Sequence, residues 1–83
     1  MKVRHEMIKV ELLVPQKEET YCIKLNRDAN MGQVRRNLID RLFGTDCDGL
    51  MYHVPCERIL NDDMTADEQG IRTADRLLLL CSK

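Results

Sequence analysis

The chain of 83 residues lacks several things that would decide its class early. It has no apolar run near the roughly 20 residues that a membrane helix needs, so direct membrane insertion is not expected. It has no basic run: thirteen Lys and Arg stand against fourteen Asp and Glu, for a net charge of −1, and the arginines are scattered. Nucleic acid is therefore not an expected partner. No two of the four cysteines, Cys22, Cys47, Cys56 and Cys81, form a C-x-x-C pair, and MKVRHEM leads into an alternating segment, not a continuous apolar one. A secretion signal and a disulfide framework are both excluded on that reading, leaving reduced thiols and a cytoplasmic location as the expectation. With four Gly and two Pro there is no linker, repeat or low-complexity stretch.

What remains is the composition of one small globular domain, 43% apolar and 33% charged, with a thin core of two layers and no room for a deep interdomain cleft. Residues 7–14, MIKVELLV, place Ile8, Val10, Leu12 and Val14 on one side, the period of a half-buried strand. Residues 20–25 repeat this with Tyr21, Ile23 and Leu25, and the Pro-led PQKEE between them predicts an antiparallel hairpin. In NMGQVRRNLIDRLFG, Asn30 stands as an N-cap with Gln33 three residues on, and Gly44 as a stop. Met31, Val34, Leu38 and Leu42 form the apolar stripe of an amphipathic helix, which Arg35, Arg36, Asp40 and Arg41 avoid. Short strands are expected at residues 50–54 and 58–60, then a polar loop with at most one helical turn after Asp63, and a closing strand at residues 77–80. The six residues before the first strand read as an extension of a single domain spanning 1–83. The fold class is α+β: a mixed sheet of four to five strands with one helix packed on one face.

The order strand, strand, helix, strand, short strand, strand resembles the ubiquitin-like β-grasp. Leu60, the polar turn, the Thr-led turn, Ile71 eleven positions after Leu60, and the closing Leu77 and Leu79 match that family's last third. Within it, ADEQGIRTADRLLLL is similar to the YukD-like branch of small bacterial ubiquitin-like proteins associated with type VII secretion, through Gly70, Ile71, Ala74, Asp75, Arg76 and Leu77. Two departures stand out. Ala74 takes a place where glycine is common in the family, so a left-handed turn there would be strained. The segment between Leu50 and Leu60 is longer than in ubiquitin and contains Pro55. Conjugated members carry a slim tail ending Gly-Gly, whereas LCSK follows the strand here, so a non-conjugated protein is expected.

Chemistry finds little to work with. Cys47, His53 and Cys56 are close in sequence, but C-x5-H and H-x2-C lack the paired spacing of a structural zinc site. Cys56 and His53 straddle Pro55 without a third orienting group, so no catalytic residue is assigned. Asp62, Asp63, Asp67 and Glu68 lack the alternating oxygen pattern of a calcium loop. No enzyme activity, metal or cofactor is expected. A small thiol or zinc protein is the alternative from another class.

The resemblance implies that the closing strand lies in mid-sheet. Leu77 and Leu79 then face the helix, and Leu78 and Leu80 face away with Leu13, next to Met51 or His53 of the third strand. These five, Leu13, Met51, His53, Leu78 and Leu80, are the expected protein-interaction patch. Burying two leucines gains roughly 3–6 kcal/mol and association costs at least about 4, so weak binding, weak self-association or tethering to a larger assembly follows. The expected partner is a protein, as a component of a secretion system or as a client of a free-standing ubiquitin-like adaptor.

Overall fold

The computed structural model describes residues 7–82. The expected extension over residues 1–6 lies outside them. The elements are β1 (Met7–Val14), a 3-10 turn (Pro15–Lys17), β2 (Glu19–Asn26), α1 (Met31–Phe43), β3 (Gly49–His53), β4 (Arg58–Ile59) and β5 (Arg76–Cys81). They form one five-stranded mixed sheet in the order β2-β1-β5-β3-β4, with α1 on one face. β5 is parallel to β1 and antiparallel to β3, so the last strand is the middle one.

The hairpin forms as its alternation dictates. Ile8, Val10 and Leu12 stand opposite Leu25, Ile23 and Tyr21, all on the helix side. Pro15 starts the connecting turn, and Glu18 takes the left-handed position, at φ 53°, that glycine holds in tighter hairpins. Gln16 then reaches the end of β5. Its Nε2 donates to the Cys81 carbonyl at 2.8 Å, and its Oε1 accepts from the Cys81 N–H at 2.6 Å. A side-chain amide thus stands in for the backbone of β1, which leaves the β1–β5 ladder at Leu13.

The helix starts where Asn30 Oδ1 accepts from Gln33 N and stops at Gly44. Gln33 does not complete a capping box; its side chain donates to Asn37 instead. The remaining N-terminal amides are satisfied from far along the chain: Met31 N donates to the Met64 carbonyl at 3.0 Å, Gly32 N to that of Asp62 at 3.2 Å. Gly32 permits this approach, since a Cβ there would sit 2.7 Å from the Asp62 oxygen. The loop supplying those carbonyls has its own capping box, Thr65 N to Glu68 and Glu68 N to Thr65 Oγ1, and drops Leu60, Ala66 and Ile71 into the core.

The buried stripe of α1 is rotated from the expected one. Met31 and Ile39 are buried, while Val34, Leu38 and Leu42 pack against the core only in part. Arg35, expected on the outer face, lies between Met31 and Ile39 in the inward row and is 14% exposed. Its guanidinium reaches Asp62 twice, at 3.1 and 2.9 Å, and also Asp48 at 2.9 Å and the Gly49 carbonyl at 3.1 Å. A long apolar stem ending in a fork explains the placement: the stem packs while the charge finds its partners. This network, led by Asp62, raises the Arg35 pKa further.

Candidate functional site

Strand alternation decides what the uncovered face displays. In β5 the burial alternates without a break: Leu77, Leu79 and Cys81 are buried, and Arg76, Leu78 and Leu80 point the other way. Register carries the pattern sideways, because residues directly opposite share a face. Leu13 of β1 is opposite Leu78, Leu78 is opposite Tyr52 of β3, and Tyr52 is opposite Ile59 of β4. An apolar row therefore crosses four strands. Leu80 and Leu50 form a second, shorter row beside it. Leu13, Leu50, Tyr52, Leu78 and Leu80 are half-buried, and Ile59 is 59% exposed.

Two expected patch residues are elsewhere. Met51 and His53 are each 1% exposed, opposite Leu79 and Leu77 under the helix. The third strand starts at Gly49 and pairs so that Tyr52, not His53, meets Leu78. A shift of one residue in register exchanges the faces of a whole strand. Leu50 and Tyr52 therefore replace them, and Ile59 extends the row. The row was missed because residues 50–60 contain a proline and too few residues per strand to fix a period. The glycine that fixes the register is legible only in space: a Cβ on Gly49 would lie 2.2 Å from the Leu80 carbonyl oxygen.

Polar contacts bound the patch. On one side Arg76 Nε donates to Glu11 at 3.1 Å across the β1–β5 pair. Asp48, at the foot of β3, holds its carboxyl below the ordinary value of 3.8, first through the Gly49 N–H it accepts and then through the Arg35 charge.

Directly behind the row, His53 is the buried polar residue of the core among the described residues. Its Nε2 lies 2.8 Å from Asp75 Oδ2, which also accepts from Arg72 N at 2.9 Å. An ionised carboxylate only accepts, so the ring carries its proton on Nε2 and donates it. Nδ1 is buried without a hydrogen-bond partner. Asp75 thus satisfies both a turn amide and a core histidine. The turn itself contains Ala74 at φ 75°, the left-handed conformation foreseen as strained for a residue with a side chain.

The other candidates disperse. Cys22, Cys47 and Cys56 are free thiols, Cys22 and Cys56 exposed, and Cys81 is buried. No hydrogen bond among the described residues joins Cys56 to His53, whose Nε2 is committed to Asp75. Among the described residues no three His, Cys, Asp or Glu side chains are placed to hold a metal. No helix among them is long and apolar enough to cross a membrane.

No protein-family model matches the sequence, and no curated protein matches it. Solved structures do. The ubiquitin of Caldiarchaeum subterraneum is 16% identical with a TM-score of 0.76, the match covering 94% of this chain and 96% of that one. The ubiquitin-like domain of Plasmodium falciparum Dsk2 is 13% identical with a TM-score of 0.75, covering 93% of this chain and all of that one. The N-terminal ubiquitin-like domain of the 4931431F19Rik protein is 15% identical with a TM-score of 0.76, covering all of this chain and 82% of that one. At these identities the likeness is one of architecture, and it agrees with the strand order and single helix described above: the chain has the ubiquitin-like fold.

Proposed function

We propose that this chain is a noncovalent protein-interaction module, without catalysis or cofactor, that docks partner proteins on the open face of its sheet. The observation that carries this reading is the row Leu13, Leu78, Tyr52 and Ile59, flanked by Leu50 and Leu80, adjoining and uncovered across four strands. Isolated surface leucines need no cause, but an unbroken apolar patch on a soluble fold does. Leu13, Leu50, Tyr52, Leu78 and Leu80 each keep at most about a third of their surface exposed and Ile59 keeps 59%, so against roughly 1.5–3 kcal/mol for full burial the patch offers at most roughly 3–7 kcal/mol. Association costs about 4 kcal/mol or more, which leaves modest affinity and suits a reversible adaptor or a subunit held by a second contact.

A finer reading makes it a YukD-like bacterial accessory protein of type VII secretion, cytoplasmic, with residues 1–83 as one domain and 1–6 as its extension. Its support is the motif Gly70, Ile71, Ala74, Asp75, Arg76 and Leu77. Titration calorimetry against the cytoplasmic portion of a type VII secretion ATPase tests both levels. Binding by the native chain and at least a tenfold loss in Leu78→Ser/Leu80→Ser, with the circular dichroism unchanged, supports them. Unchanged affinity in the double variant removes the open face as the docking surface. Absence of binding by the native chain removes the secretion reading.

A further inference from the structure

Lys9 of β1 and Lys24 of β2 stand directly opposite each other on the open face, both exposed. Like charges so placed destabilise a strand pair, and an approaching carboxylate would relieve them. Glu11, the next residue of β1 on that face, is already taken by Arg76. No ion pair among the described residues engages either lysine. The other end of the same hairpin is acidic: its turn carries Glu18, exposed and likewise unengaged among the described residues. The apolar row crosses between these two ends, since Leu13 follows Lys9 by four residues and precedes Glu18 by five.

We propose that a second copy of this chain covers the open face, as a two-fold symmetric dimer that lies row on row and sets Lys9 and Lys24 of each copy against Glu18 of the other. The proposal rests on the docking reading and adds its regulation, because a face covered by a second copy takes no other partner. Register supplies the symmetry. The row runs straight across the strands, so a two-fold axis along it returns Leu13, Leu78 and Tyr52 to their own counterparts, as an isologous interface requires. The same rotation turns strand starts onto strand ends. Leu80 then comes over the stem of Arg76 of the second copy, and the paired lysines come over its hairpin turn. Facing sheets lie about 10 Å apart with strands within about 30° of each other, a gap that a lysine and a glutamate reaching from opposite sides can span.

The extent of the face sets the strength. Five strands spaced at about 4.8 Å, and a length from Lys9 to the Leu80 row at about 3.3 Å per residue, give a face of about 19 by 20 Å. Two such faces bury about 800 Å², below the roughly 1,200 Å² of stable complexes. The dimer is therefore weak and yields to a partner that binds better. A net charge of −1 opposes it little.

Sedimentation equilibrium of the chain between about 0.05 and 2 mM, with amide NMR over the same range, tests the proposal. The native chain should dimerise with a Kd of about 0.1–1 mM and show concentration-dependent shifts at Leu13, Leu50, Tyr52 and Leu78. Glu18→Lys and Lys9→Glu/Lys24→Glu, all at exposed positions, should each keep a dispersed native spectrum and weaken dimerisation about fivefold, the effect of a few exposed charge pairs. An equimolar mixture of the two variants opposes unlike charges at both ends and should associate at least as tightly as the native chain. A native chain that stays monomeric at 2 mM overturns the proposal and gives the face to other proteins alone. Variants that dimerise like the native chain, a mixture no tighter than its components, or shifts confined to residues 20–25 and 34–41 overturn it as well. Calorimetry at micromolar chain, where the monomer prevails, reads the docking function separately, so either idea can fail without the other.

Discussion

Asp75→Ala removes one carboxylate that serves two donors. Oδ2 accepts from Arg72 N at 2.9 Å and from His53 Nε2 at 2.8 Å. His53 is 1% exposed, and Nδ1 already has no partner. The truncation therefore leaves a second ring nitrogen desolvated and unsatisfied, at a cost of about 1–3 kcal/mol. Losing the bond to the exposed Arg72 amide adds about 0.5–1 kcal/mol. The sum, roughly 2–4 kcal/mol, is a large part of the 5–15 kcal/mol typical of a domain. It should lower Tm by roughly 10–25 °C at this size. In a His53→Leu background the ring is gone, and the same truncation should cost only about 1 kcal/mol, the turn's share. Urea unfolding of the four chains, followed by circular dichroism with slopes compared, measures the difference. Equal costs in the two backgrounds, or a loss below about 0.5 kcal/mol in the native one, would refute the idea that Asp75 supports the buried ring.

Ala74→Gly should stabilise the chain. Relief of the left-handed alanine, about 1–2 kcal/mol, exceeds the extra flexibility glycine brings to the unfolded chain, about 0.5–1. A rise in Tm of a few degrees is expected, and a fall would contradict the strain argument. Asp48 should titrate below 3.8 when followed by carbonyl NMR. Since its native value is depressed, its contribution to stability is present above the unfolded value and lost as pH falls through the native one. Arg35→Met should raise its midpoint only in part, because the Gly49 N–H is the larger cause and remains.

Legibility followed the length of the periodic segments. β1, β2 and α1 each have eight or more residues, enough for a period to show, and their bounds follow the alternation, Asn30 and Gly44. The inward row of α1 is not legible from end-group polarity, because Arg35 buries its stem and keeps its charge on Asp62. β3 and β4 were harder. Five and two residues around a proline do not fix register, and one place of uncertainty sent Met51 and His53 to the wrong face. His53 is misleading for a second reason, since its partner Asp75 is 22 residues away. The outward alternation of Leu78 and Leu80 was legible because four leucines in mid-sheet cannot all face one helix.

The position of β5 also governs when the molecule can be assembled. Its partners on the two sides lie far back in the chain, Glu11 opposite Arg76 and Gly49 opposite Cys81. A growing polypeptide emerging from the ribosome therefore holds two separate hairpins and a helix whose first amides await the carbonyls of Asp62 and Met64. Only when the leucine strand arrives do the halves join, so this stretch of chain is acquired nearly all at once, and fragments ending before it offer chaperones and proteases an apolar seam instead of a folded part.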